Sequence, residues 1–523
     1  MKLKRSLIIP CCSLCGLFCS CSVDPFPVIP DNPEEIYHTL IIKDNQGNIH
    51  EPFMIDGENV YLVFPSDVDF SKLEFVSNET VPSLVSYDGI LIEGGMVDFS
   101  DFTRPYCCEW RGENVNDSIL KTIVVFDIPV LTIDTPDSSP ITSKTERKEG
   151  CNVKLLDTNK NVQELGTAGI RGRGQSTWNQ PKKPYNIKFD KKQGILGMNE
   201  SKHWLLLANA YYDRTQIHNS TAFEIARLTD FPWVQSGEYV ELFLNGDYQG
   251  LYYLCEKIGA EKGKIELSKN KEDTPVEDCS FLLESYVTEN KTDLSEIEFP
   301  FGFFYTGVFS ETGRMLLNRP SFLGWEIKEP DDNLTEKHVD YIRSELQNLE
   351  NLIKNDAATG SYRDLFDIET AINWFFVEEL CLNDEAELTK NLYMYITGGG
   401  KFTIGPPWDF DAWTFGMVPF EEQGYWDLKN ALYYERLFED PVFVTRLKEK
   451  WEIYKPIWKK EIPIYIDNQY AKVHRSAERN ENMWPNWNQR NKYPEVSYKE
   501  LIERMKDAFM TQLSIMDTEI HNL

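Results

Sequence analysis

The sequence predicts an α+β protein in which an all-β module precedes a β-rich lobe and then a helical lobe. Three observations carry that expectation. Residues 37–130 break into short β-branched or aromatic runs, with Gly, Asn, Asp and Pro every ten to twenty residues. From Val130 strand patterning continues around a single helical stretch. From about Leu334 apolar residues recur at helical spacing almost to the end.

Composition sets the bounds. At roughly 100–200 residues per domain, 523 residues make two to four folding units. The chain is 41% hydrophobic and 26% charged, which excludes a disordered or fibrous protein. With 84 acidic and 54 basic residues the net charge is -30, so the chain repels nucleic acid and anionic lipid. A phosphate ligand therefore needs a local basic island.

The N-terminus reads as a targeting segment. Lys2, Lys4 and Arg5 precede the short apolar run SLIIPCCSLCGLFCS, and Cys21 follows Ser20. This resembles a lipoprotein signal peptide, residues 1–21, with Cys21 the lipidated residue. Cys19 is a weaker acceptor because Phe18 precedes it, and an ordinary signal peptide is the bland alternative. The run is too short to span a bilayer, and no later stretch reaches about 18 apolar residues. Ser22 lacks the Asp that retains lipoproteins in an inner membrane, so the expected location is the outer membrane or cell surface, through the lipid alone. Residues 22–36, with four prolines, read as a tether.

YHTLIIKD, NVYLVF, KLEFVS, GILIEGG and KTIVVFDI make residues 37–130 an immunoglobulin-like β-sandwich by pattern. Residues 131–523 form the second domain. PVLTIDT, CNVKLLD and YNIKFD read as strands, and DRTQIHNSTAFEIARL as a helix from about Asp213 to Leu228. EYVELFL and DYQGLYYLCEKI flank Asn245-Gly246, a type I′ hairpin signature. Ile368 to Leu382 is apolar nearly all round, hence buried, with Asp367 as its N-cap. LYMYI and KFTIG flank three glycines in a second hairpin. Six cysteines lie beyond the leader, at 107, 108, 151, 255, 279 and 381. They allow disulfides without demanding them, and show no zinc spacing.

Three constellations carry chemistry. Arg171-Gly172-Arg173-Gly174 opens a stretch, 171–192, with seven basic residues and one acid, Asp190. The glycines permit close backbone approach, and Arg and Lys supply forks and point charges for phosphate oxygens. Lys188 shares a strand face with Asn186, opposite Ile187 and Phe189. A solvated basic strand is the bland alternative. Asp384 and Asn391 follow the apolar helix, and Asp409 and Asp411 follow the strand KFTIG. Carboxylates just past a strand end suit a hard cation that also meets phosphate oxygens. Their order, Asp, Asn, hairpin, Asp, is that of kinase catalytic and metal residues. Asp384 to Asn391 is seven positions, against about five in that pattern, and no His-Arg precedes Asp384.

IRGRGQSTWNQPKKPYNIKFD, HWLLLANAYYDRTQIHN, YVELFLNGDYQGLYYLCEKI, LTKNLYMYI and PPWDFDAW, in this order, resemble the CotH (spore coat protein H) kinase family over roughly residues 150 to 480. The resemblance implies a two-lobed, atypical protein-kinase-like fold that binds ATP and Mg²⁺ or Mn²⁺ and phosphorylates protein Ser/Thr. By position it implies Asp384 as catalytic residue, and Asn391 and Asp409 as metal ligands, with Asp411 as a second acid beside them. Arg171, Gly172, Arg173, Gly174 and Lys188 fall on the phosphate side, with Glu224 as the helix partner of Lys188. An exported protein meets little ATP, so the opposing class is a non-catalytic surface lipoprotein that binds protein or glycan on a kinase-like scaffold.

Overall fold

The structure, a computed structural model, describes residues 41–523 except 57–58, 66, 76–82, 86–90, 93–94, 101–105, 111–118, 160, 175, 210–212, 269, 272, 287–301, 306–323, 331–333, 384–385, 387–390, 413, 417–427, 431–432 and 485–495. The chain divides into two compact units, Met1–Val125 and Phe126–Leu523. No helix among the described residues is long and apolar enough to cross a membrane.

In the first unit two antiparallel sheets share one core. One orders its strands Ile49–His50, Ile42–Lys43, Leu73–Phe75, Met96–Val97; the other runs Met54–Asp56, Asn59–Val63, Ile119–Phe126, Tyr106–Trp110, Ser83–Val85, Leu91–Ile92. Ile42, Leu73 and Val97 of the first sheet are buried in one cluster with Val60, Leu62 and Ile123 of the second.

The second unit opens on a closed seven-stranded barrel. Its strands are β1 (Val130–Asp134), β2 (Lys148–Leu156), β3 (Val162–Gly172), β4 (Tyr185–Gln193), β5 (Ser201–Leu207), β6 (Gly237–Leu244) and β7 (Asp247–Glu256). The order is β1-β2-β3-β4-β5-β7-β6, and β6 closes on β1 in the one parallel pairing, Val130 opposite Glu241. Strand alternation divides the side chains. Ile170, Ile187, Phe189, Trp204, Leu206, Leu242 and Leu254 fill the interior. Leu205, Leu207, Tyr239, Tyr253 and Cys255 point outward into the larger core of the unit. The β6–β7 turn has Asn245 and Gly246 at φ 54° and 81°, as a type I′ turn requires.

Helix α1 (His218–Arg227) packs on that outer face. It starts five residues after Asp213 because that residue is occupied as a loop anchor. Its carboxylate accepts from Thr215 Oγ1 at 2.6 Å and from the His218 amide at 2.9 Å.

The helical part contains a second sheet, of strands β8 (Phe281–Tyr286), β9 (Phe303–Tyr305), β10 (Gly324–Glu329), β11 (Tyr393–Ile396) and β12 (Thr403–Ile404). The expected inserted hairpin is its β11–β12 edge, in the order β9-β10-β8-β11-β12. Around it lie α2 (Glu336–Asp356), α3 (Ile368–Leu380), α4 (Tyr434–Leu437), α5 (Pro441–Met483) and α6 (Tyr498–Asn522). Asp367 caps α3 by accepting from the Glu369 amide at 3.0 Å.

Helix α5 belongs to both parts. Phe443, Leu447, Trp451 and Trp458 sit in the helical core. Farther along, Ser476 donates to Glu241 at 2.5 Å, Arg475 to Asp127 at 2.7 Å, and Asn480 Oδ1 accepts from the Leu251 amide at 3.3 Å. Arg214, preceding α1, pairs with Glu481 at 2.6 Å.

Candidate active site

Strand β12 runs through Gly405, Pro406 and Pro407 into Trp408-Asp409-Phe410-Asp411. Trp408 and Phe410 are buried, and both rings pack on Phe223 of α1, at 6.0 Å stacked and 6.3 Å edge-on. Asp409, between them, and Asp411, which follows, are half-buried. Asp409 sits in the left-handed region at φ 73°, which Asp and Asn enter more readily than other side chains. The backbone on both sides of it is held. Gln235 Nε2 donates to the Pro407 carbonyl at 2.9 Å, and the Phe410 amide donates to Asn219 Oδ1 at 2.9 Å. Thr414 closes the turn, donating to the Phe410 carbonyl at 2.8 Å and pairing with His218 Nδ1 at 2.9 Å. Asn391 is also left-handed, φ 60°, one residue before Leu392, whose amide donates to Ser285 Oγ at 3.0 Å.

The Arg171–Gly174 segment leaves the end of β3 toward this turn. The Arg173 guanidinium lies over the Trp408 ring, 5.5 Å from its centroid. Both glycines are required. A Cβ at 172 would fall 2.3 Å from the Trp178 ring, and Gly174, at φ 75°, would bring one 2.1 Å from Thr177 Oγ1.

Behind Arg173 the outer face of the barrel carries a basic row. Gly169 of β3, Lys188 of β4 and His203 of β5 lie opposite one another, and the Lys257 amide bonds back to the His203 carbonyl. Arg171 and Asn186 form the next rung, with Arg147 donating to Asn186 Oδ1 at 2.9 Å and to the Gly169 carbonyl at 3.0 Å. Burial holds His203 down at about 4, with Lys257 and Lys188 adding to it. Burial also lowers Lys257, with Lys328 of β10 and Arg171 adding, against Glu329. Across the cleft, Lys328 pairs with Glu284 at 2.8 Å, and Glu284 accepts from the Tyr393 hydroxyl at 2.6 Å.

Residues 170–509, more than half of the chain, match the family model described as CotH kinase protein. The chain belongs to the CotH kinase protein family. No curated protein matches it. The CotH match opens at the last residues of β3 and spans Arg171 to Gly174, Lys188, α1 and the Trp408–Asp411 turn.

Within this CotH chain the basic island divides. Lys182 belongs to the interior, fully buried, its Nζ donating to the Ala208 and Leu251 carbonyls and lying 4.3 Å from the Tyr252 ring centroid. Lys183 is spent on the Trp178 carbonyl at 2.7 Å. Lys188 is exposed on the basic row. Arg147 and Lys257, which join it there, fall outside the 171–192 stretch and left no mark in a reading by local charge density.

Glu224 is not the partner of Lys188. It pairs with Arg227 one turn along α1, and Arg227 in turn donates to the Gln235 carbonyl at 3.1 Å. The helix thus satisfies its own carboxylate.

Asp384 and Cys21 lie outside the described residues. The residue before Asp384 is well placed. Asn383 donates from its amide nitrogen to the Glu378 carbonyl at 3.0 Å and from Nδ2 to Glu378 Oε2 at 2.7 Å. Burial pushes Glu378 up to about 8. The one three-residue cluster of metal-ligating types among the described residues, Glu452, Asp517 and His521, lies far from this site along the chain. Asp517 there already accepts from Trp451 and Lys455.

Proposed function

We propose that this chain is an atypical protein kinase, transferring the terminal phosphoryl group of ATP to a Ser or Thr hydroxyl of a protein substrate with Mg²⁺ or Mn²⁺ bound. The observation that carries the reading is Arg173 over Trp408: it brings the basic loop to the residue beside Asp409. A cation beside a carboxylate-bearing turn is the arrangement that phosphoryl transfer needs when positioning and charge neutralisation do most of the work.

The donor set fits a hard divalent cation. Asp409 and Asp411 offer carboxylate oxygens and Asn391 an amide oxygen, and two of the three stand on left-handed backbone, where strain persists when function or surroundings require it. When bound, the ion would neutralise phosphate oxygens. Arg173 and Arg171 hold the same oxygens from the barrel side, and Lys188, Lys257 and Arg147 extend the cationic row along the phosphate chain. Asp384 orients the acceptor hydroxyl and takes its proton.

The same reading makes Cys21 the lipid anchor at the outer membrane or cell surface, and residues 37–130 an immunoglobulin-like stalk. Cys21→Ser should then abolish detergent-phase partitioning; unchanged partitioning would reject the anchor. For the kinase, calorimetry of the purified full-length chain with ATP and Mg²⁺ or Mn²⁺, together with transfer to Ser-containing peptides, is decisive. No ATP binding with either metal removes the kinase reading and leaves a non-catalytic surface protein.

A further inference from the structure

We infer that Asn219 and Gln235, both supplied by the barrel side of the cleft, are positioning residues for Asp409; the inference rests on the metal-binding role proposed above. Asp409 occupies a conformation unfavourable for a residue with a Cβ. Such a conformation persists when the surroundings over-determine it. Here the peptide groups two residues before and one residue after are each fixed by one buried side chain. Gln235 takes the Pro407 carbonyl and Asn219 takes the Phe410 amide, both at 2.9 Å.

The amide orientations are forced by the partners. A carbonyl can only accept, so Gln235 must present Nε2; a backbone amide can only donate, so Asn219 must present Oδ1. Both side chains are sealed from solvent, at 0% and 1% exposure, so neither bond competes with water. Asn219 is itself braced. Its Nδ2 reaches Asn209 Oδ1 at 3.4 Å, and Asn209 donates to the Gln216 carbonyl at 2.9 Å. Asn219 stands in the first turn of α1, and Gln235 just before β6. The carboxylate at the end of β12 is therefore aimed by two segments of the other lobe.

The test separates aiming from mere stability. The Mn²⁺ concentration that gives half-maximal ATP binding is measured on the full-length chain, alongside its melting temperature. Asn219→Leu and Gln235→Met each remove one bond at similar volume. Each should raise the half-maximal Mn²⁺ concentration about fivefold or more, the loss expected for one buried hydrogen bond. ATP affinity should return to within about twofold of wild type at saturating Mn²⁺. Asn219→Asp keeps the acceptor oxygen for the Phe410 amide but loses the donor to Asn209, so it should raise the requirement less than Asn219→Leu does. Hydrogen exchange at the Phe410 amide should quicken in Asn219→Leu. A lowered melting temperature with an unchanged Mn²⁺ requirement in Gln235→Met would overturn the inference, even if Asn219→Leu fails to fold. Wild-type protein that binds no ATP with Mn²⁺ would instead sink the kinase reading, whatever the exchange data show.

Discussion

The Arg173 guanidinium lies over the Trp408 ring, 5.5 Å from its centroid, although 235 positions of chain separate them (408 − 173). Arg173 keeps its cation next to the Asp409 turn by stacking, and so leaves its hydrogen-bonding edge for a ligand. Arg173→Ala should lower ATP affinity about tenfold or more, the value of a charge-assisted bond of roughly 1.5–3 kcal/mol. Arg173→Lys, with charge but no planar fork, should recover only part of it. Equal affinities by calorimetry for all three proteins would remove Arg173 from the site.

Asp409 and Asp384 should fail in different ways. Asp409→Asn is expected to raise the Mg²⁺ or Mn²⁺ requirement and weaken ATP together. Asp384→Asn should leave ATP binding nearly intact and abolish peptide phosphorylation. Asp411→Asn decides whether the second acid of the turn also holds metal, since it would then behave as Asp409→Asn does. Titrating metal against bound nucleotide distinguishes the three.

Lys182 and Lys188 are six residues apart and should respond oppositely to removal. Lys182→Met leaves the Ala208 and Leu251 carbonyls without their buried donor. It should cost about 2–6 kcal/mol of stability in denaturant titration, at about 1–3 kcal/mol for each of the two orphaned groups. Lys188→Ala, at an exposed position, should barely alter stability and should weaken ATP. A stable Lys182→Met variant with lost ATP affinity would reverse these roles.

That contrast shows where the sequence is readable. Alternation placed Lys188 on the face opposite Ile187 and Phe189, and the structure turns that face outward, because a pleat fixes alternation locally. The same charge count swept in Lys182, because composition cannot tell a lysine inside a barrel from one on its surface. Asn245-Gly246 and Asp367 were legible for a similar local reason: a type I′ turn and an N-cap each need particular residues at particular places. The parallel closure of β1 on β6 and the five-stranded sheet join residues about a hundred positions apart, and no local pattern announces them. Asn219 and Gln235 are single polar residues whose meaning lies wholly in the partner across the cleft.

Glu378 gives a pH signature. Burial raises its carboxyl from the ordinary glutamate range near 4.5 to about 8, so the folded chain holds a proton that the unfolded chain has released. The sign follows from linkage. The contribution of Glu378 to stability is fully present below pH 4.5, is lost as pH rises to 8, and then levels, changing by about 1.4 kcal/mol per pH unit at most. Glu378→Gln keeps an oxygen for Asn383 Nδ2 and removes the titration. It should raise the melting temperature at pH 8 and change it little at pH 4.5. Parallel melting curves for both proteins across this range would show that Glu378 does not titrate there.

Helix α5 has a mechanical consequence. At about 1.5 Å per residue its 43 residues form a rod of about 65 Å, rooted among the tryptophans of one lobe and bolted through Ser476, Arg475 and Asn480 to the wall of the other. Kinase-like clefts commonly breathe by rotating two bodies about a short flexible connection. Here such a rotation would have to bend the helix at Pro456 or Pro463, where the ring removes a backbone hydrogen bond, or strip buried polar contacts from the barrel. The jaws are tied along their spine, and the two prolines mark where that tie can bend. The β3–β4 connection cannot yield as a whole, because Lys182 pins it to the barrel and Lys183 ties it to its own Trp178 carbonyl; what is left to move there is the Arg173 side chain on its ring contact.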